Sequence, residues 1–152
     1  MGSLRRLIEV FDDEIDIAES QVHKRLSRHR GYRAIQALHG VRSVTAAIFV
    51  AEIAGITRFS DARQLCSWAG LAPLHHESDD KAHSGHITKR GSTLVRWAAV
   101  EAVVRYHGGA PITLAFMRIQ ARRGTSVARV GAARKLLTLV FFTGCVTVRS
   151  AA

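Results

Sequence analysis

The sequence predicts a mainly α-helical protein, with a long amino-terminal coiled-coil-like helix followed by a compact helical domain. Three observations carry this. Only two prolines interrupt 152 residues, Pro73 and Pro111, while alanine, leucine, valine and arginine, all tolerant of helix, are common. Apolar residues recur at steps of three and four along residues 3–30, and further helical stretches follow. Glycines at 31, 40, 70, 91, 108–109 and 124 fall where one such periodic stretch gives way to the next.

Residues 3–30 read as one helix, with apolar residues at Leu4, Ile8, Phe11, Ile15, Ala18, Val22 and Leu26. The steps approach a heptad seam, and Glu9, Asp12, Asp13, Asp16 and Glu19 fall on another face. Either a dimerising coiled coil or an amphipathic helix packed on its own domain fits this pattern. Residues 1–30 are therefore assigned as a coiled-coil or dimerisation helix, and 31–152 as the compact domain. A short helix is expected from Tyr32 to Leu38. Gly40 then allows a tight turn, and Ser43 is a candidate N-cap for a helix to about Ala54. Helix, glycine turn and small-residue helix start form a helix-hairpin-helix-like element. Such an element aims backbone N–H groups at a DNA phosphate, with Gly40, Arg42, Ser43 and Thr45 as contacts. A plain helical hairpin is the other reading. Ser60 is expected to open a helix that stops at Gly70. Leu71 to Gly91 reads as one long functional loop. Ser92 caps a helix from Thr93 to about His107, Pro111 starts another to about Arg123, and a last helix covers roughly Val127 to Val148.

An apolar share of 47% against 22% charged residues fits a globular chain and excludes a disordered one. Cys66 and Cys145 form no CxxC or zinc pattern and read as buried thiols in a reducing cytoplasm. The most apolar stretch, Leu136 to Val148, is 13 residues, short of the about 20 that a membrane span needs. It reads as a core helix, so no membrane partner is expected. The net charge of +10 is uneven. Residues 1–30 balance six basic against six acidic residues, whereas residues 81–152 hold twelve basic residues and one acidic, Glu101. Such a field repels itself and is relieved by a polyanion, which makes nucleic acid the expected partner. A generally arginine-rich composition would give a similar balance.

The chemistry is concentrated in the long loop. Lys89, Arg90 and Arg96 bring positive charge to a helix entry where Ser92 and Thr93 leave free N–H groups, an arrangement suited to phosphate. A loop serine facing it could attack a phosphodiester, given a base and charge stabilisation. His75, His76, His83 and His86 with Asp79 and Asp80 could instead bind zinc, but their spacing matches no structural zinc pattern, and no metal site is assigned.

Several segments taken in order resemble the carboxy-terminal domain of the insertion-sequence transposases of the 110/116/902 class. Leu38-His39-Gly40-Val41 is similar to their I-P-G-V-G-x-x-T-A opening, with Arg42 where a second glycine is usual. Ala51-Glu52-Ile53, Arg58-Phe59-Ser60, Ala62-Arg63-Gln64-Leu65 and Trp68-Ala69-Gly70-Leu71-Ala72-Pro73 follow. The match resumes at Gly85-His86-Ile87-Thr88-Lys89-Arg90-Gly91-Ser92 and ends at Ala133-Arg134-Lys135-Leu136-Leu137. It covers about residues 36–140.

The resemblance implies a DNA recombinase built from an acidic nuclease domain, a coiled coil and this domain, with target choice guided by an element-encoded RNA. It implies a serine nucleophile five residues after the proline of G-L-x-P, which here is Ser78; Ser84, followed by Gly85, is second choice. It places magnesium only at the acidic domain, so no cofactor is expected within this chain. Asp79 stands where glycine is typical, and no set of four spaced carboxylates is present. Three readings follow. The chain is an enzyme part needing the missing nuclease domain; or a non-catalytic DNA-binding and dimerisation module, a remnant or regulator of the full-length protein; or a metal-binding or purely structural helical protein. DNA, a guide RNA and a second copy through residues 3–30 are the expected partners. The bacterial cytoplasm, with nucleoid association on DNA, is the expected location.

Overall fold

A computed structural model describes residues 2–76, 83–87, 91–105 and 111–149, with the backbone alone at 73–76, 83–87 and 111. It is mainly helical, as expected. Among the described residues seven α-helices run in the order α1 (Gly2–Leu26), α2 (Arg30–Gln36), α3 (Ser43–Ile53), α4 (Ala62–Trp68), α5 (Thr93–Val104), α6 (Pro111–Arg123) and α7 (Thr125–Arg149). A 3-10 turn, Ile56–Arg58, joins α3 to α4.

The long loop is where the structure departs from the sequence reading. Its flanks form two strands, β1 (Pro73–His76) and β2 (His83–Ile87), paired antiparallel with His75 opposite Ser84 and an irregularity between Pro73 and His75. A four-residue strand is too short to show an alternating pattern, and Pro73 breaks the ladder at its start, so periodicity carries no sign of it.

Helix ends also shift. Asp61, not Ser60, caps α4, its Oδ1 accepting the Gln64 N–H at 2.8 Å. Arg42, not Ser43, is the cap position of α3. There the Thr45 hydroxyl accepts the Arg42 N–H at 2.8 Å and donates to the Arg42 carbonyl at 2.9 Å. A side chain three residues into the helix thus takes the role expected of the residue before it. The first helix stops at Leu26, four residues short of the expected end. His29 then caps α2, its Nδ1 accepting the Tyr32 N–H at 3.0 Å.

α7 is the hub. Ala128, Ala132, Ala133, Leu136, Leu137, Val140 and Phe141 form its buried stripe, and α2, α4, α5 and α6 pack around it. α5 offers Val95, Ala98, Ala99, Ala102 and Val103 in return. Alanines on both sides let the two axes approach closely. Gly131 does not break α7. A Cβ there would lie 2.6 Å from Ile119 Cδ1, so the glycine makes room for that side chain of α6. α7 has the length and apolar character of a membrane span, and 33% of its most apolar stretch is buried, with α2, α4, α5 and α6 packed on it.

α1 behaves differently at its two ends. Glu19, Val22 and Leu26 are half-buried against the domain, whereas residues 2–18 are all exposed. Leu4, Ile8, Phe11 and Ile15 continue the same stripe into solvent, Leu4 at 70% and Phe11 at 57% exposure.

Two buried groups make stability depend on pH. Burial pushes the Cys66 thiol above its ordinary value, and burial with the nearby Glu19 carboxylate does the same to the Tyr32 phenol. The unfolded chain releases these protons first. Stability is therefore full below the ordinary thiol value of 9.0 and falls as pH rises past it. Urea midpoints taken between about pH 7 and 10 should decline, and Cys66→Ala should flatten the earlier part of that decline. An unchanged slope in the variant would remove Cys66 as a cause.

Candidate nucleic-acid interface

The sequence proposes two phosphate-binding groups, and α3 connects them. Gly40 has φ of 79° and makes the expected turn, closed by the Val41 N–H on the Leu38 carbonyl at 3.1 Å. Arg42 is exposed beside it. Thr45 is buried, with its hydroxyl committed to the Arg42 backbone. The Ser43 hydroxyl donates to Glu19 on α1 at 3.2 Å. From this first group only the turn backbone and the Arg42 side chain are left to meet a ligand.

The second group lies at the other end of α3. Ser92 caps α5 as expected, its oxygen accepting the Val95 N–H at 3.2 Å. Its hydroxyl donates to Glu52 Oε2 on α3 at 2.7 Å. A hydroxyl donating to a carboxylate has the form of a nucleophile with its base. Here the same oxygen also holds the helix start, so the bond fastens α5 to α3. Ser43 and Glu52 are nine residues apart, about 14 Å along a helix axis. The two groups are therefore too far apart to share one phosphate.

Arg96 Nη1 donates to the Ala69 carbonyl at 3.1 Å, placing a cation on the carboxy-terminal end of α4, where the helix dipole favours it. The Leu71 N–H closes the same helix end on the Cys66 carbonyl at 3.0 Å. Gly91, with φ of 94°, backs directly onto the Trp68 carbonyl. Chain entering the hairpin region at Leu71 and leaving it at Gly91 is thus pinned at one place, the last turn of α4. Ser78, Lys89 and Arg90 lie outside the described residues, as do the side chains of Ser84 and the four loop histidines. Among the described residues no three His, Cys, Asp or Glu side chains converge on one point.

Beside that anchor sits a cation the sequence reading did not assign to a site. The Arg58 guanidinium lies 4.7 Å from the Phe59 ring centre and 4.6 Å from that of Trp68. Both rings lie within cation–π range of this exposed guanidinium. The available signal is an Arg-Phe pair ahead of a tryptophan, but a separation of nine or ten residues matches no single-element period.

The described residues define a helical domain that pins both ends of a hairpin-bearing insert to one helix end and carries its excess positive charge in the carboxy-terminal half. Residues 32–109 match the model of the Transposase IS116/IS110/IS902 family, and the chain belongs to that family. A probable family 20 transposase of Pseudomonas aeruginosa is 30% identical over 69% of this chain and 33% of its own length. The insertion element IS110 uncharacterized 43.6 kDa protein of Streptomyces coelicolor is 26% identical over 91% of this chain and 35% of its own length. The transposase for insertion sequence element IS1111A of Coxiella burnetii is 29% identical over 56% of this chain and 23% of its own length. The chain spans about a third or less of the length of these relatives.

Proposed function

We propose that this chain grips DNA through its basic carboxy-terminal half and offers Ser78 as the nucleophile of a transposition reaction. The observation that carries the reading is the charge of residues 81–152, twelve basic residues against one acidic, within a chain of this family. Lys89 and Arg90 bind phosphate at the hairpin exit, with Arg42 and the Gly40 turn holding a second phosphate. Arg96 acts through the scaffold by fixing the hairpin base. In the step itself, the Ser78 oxygen attacks phosphorus and a new P–O bond forms. The bond to one strand oxygen breaks, and that strand leaves as a hydroxyl after taking up a proton; the serine proton passes to a base. Metal chemistry belongs to an acidic centre that these 152 residues do not supply, and a guide RNA selects the target. The protein works in the bacterial cytoplasm, on the nucleoid.

A specific observation favours a second, non-catalytic reading. Asp79 places a carboxylate next to Ser78, where it repels an incoming phosphate, and the exposed stripe of α1 is suited to pairing with a second copy through residues 3–30. In that reading the chain binds DNA and self-associates without cutting.

Both readings require a salt-dependent grip on duplex DNA. Fluorescence anisotropy from about 50 to 200 mM salt should show affinity falling steeply, by a slope of roughly −0.9 per phosphate neutralised. Replacing Lys89 and Arg90 together by alanine should lessen the slope by about 2 and weaken all sequences alike. A salt-independent affinity would end both readings.

A further inference from the structure

A further basic surface is formed by residues of α4 and α7. Between α4, α6 and α7 runs a groove of about 570 Å³, walled by Arg63 on one side and by Arg134 and Lys135 on the other. Along α7, Gly131, Lys135, Thr138 and Phe142 follow at steps of four, three and four, which sets them on one face. The absent side chain at Gly131 brings Ile119 of α6 close and makes that end of the groove apolar.

Phe142 is 57% exposed, and it is not loose. It meets the buried Phe141 edge to face, with ring centres 5.6 Å apart and planes at 77°. A core residue thus props a flat apolar ring at the groove. Neither Arg63, Arg134 nor Lys135 forms an ion pair among the described residues. Among the described residues lining the groove Asp61 is the one acidic side chain, and it caps α4 through Gln64. Three cations against one carboxylate leave a surplus of two positive charges around an apolar floor.

Cations that track a backbone, beside a ring that accepts a base, are the components of single-strand recognition. A duplex satisfies the cations but keeps its base faces stacked and hidden from Phe142. An acidic peptide satisfies the cations and has no planar face for the ring. We infer that this groove seats an unpaired stretch of nucleic acid, with phosphates on Arg63, Arg134 and Lys135 and one base stacked on Phe142. The inference rests on the nucleic-acid reading above and adds to it a site formed by Arg63, Arg134, Lys135 and Phe142.

The test uses the whole chain and two labelled probes, an oligothymidylate of about 12 nucleotides and a mixed-sequence duplex of similar length. Phe142→Ala should weaken oligothymidylate binding about tenfold and duplex binding by less than about twofold. Phe142→Trp should retain the single-strand affinity. Replacing Arg63 and Lys135 together by alanine should lessen the single-strand salt slope by roughly 1.4, about 0.7 for each phosphate no longer neutralised. Unchanged oligothymidylate affinity in Phe142→Ala overturns the inference, as does an equal loss on both probes. A Phe142→Ala chain that changes its sedimentation but not its single-strand affinity shows a protein-docking face instead. Wild-type binding to duplex alone removes the groove proposal and leaves the duplex reading standing, whereas binding to neither probe removes both.

Discussion

Replacing Gly91 with alanine is expected to lower stability by about 3–5 kcal/mol, a large share of the roughly 5–15 kcal/mol that holds a domain together. Two effects combine. The φ of 94° is a left-handed conformation that costs an L-residue about 1–2 kcal/mol. An added Cβ would also run into the Trp68 carbonyl oxygen, a backbone atom at the end of α4 that cannot swing aside. The clash is transmitted, because the same helix end accepts Arg96 on the Ala69 carbonyl and closes on the Leu71 N–H. Gly124→Ala is the matched control. Its φ is 82°, but nothing lies within 4 Å of its Cβ, so only the conformational cost of about 1–2 kcal/mol applies. Urea unfolding of the two variants separates close approach from strain. Equal losses in both would mean that the approach of Gly91 to α4 contributes nothing.

Ser78→Ala is expected to reduce strand joining by a factor of about 10⁴ or more when the chain acts together with an acidic nuclease centre. Losing a nucleophile removes the covalent route altogether, and what remains comes from binding and charge stabilisation. Duplex affinity should stay within about twofold, since a hydroxyl contributes no charge to the grip. Ser84→Ala should keep most of the activity. The described serines near the candidate phosphates are poor rivals, with Ser92 fastened between Glu52 and Val95 and Ser43 donating to Glu19. Asp79→Gly removes a charge that opposes the incoming phosphate and should raise the rate. If Ser78→Ala joins strands as fast as the parent, the nucleophile is elsewhere. If Asp79→Gly gains nothing while binding persists, the non-catalytic reading prevails.

The helical class, the position of most helices and the asymmetry of charge are legible in the order of residues, because they are local or additive properties. Start and stop residues state an element without its partners, and α6 is legible in this way from Pro111 to Arg123, ahead of Gly124. Ser92 is likewise legible as a cap, because capping is decided within four residues. Family kinship is legible too, because short segments in a fixed order carry it. Which intramolecular partners the polar groups take is decided only in three dimensions. Ser43, Thr45, Ser92 and Arg96 read as phosphate ligands, yet each has a hydrogen-bond partner within the protein: Glu19, the Arg42 backbone, Glu52 and the Ala69 carbonyl. Three of those partners sit 24 to 40 positions away, and no period in the sequence relates them. The same holds for Gly91 against Trp68, and for the groove that joins Arg63 to Phe142. A hydrogen bond or a close approach depends on where two elements meet. That meeting is fixed by the packing of all the helices around α7 at once.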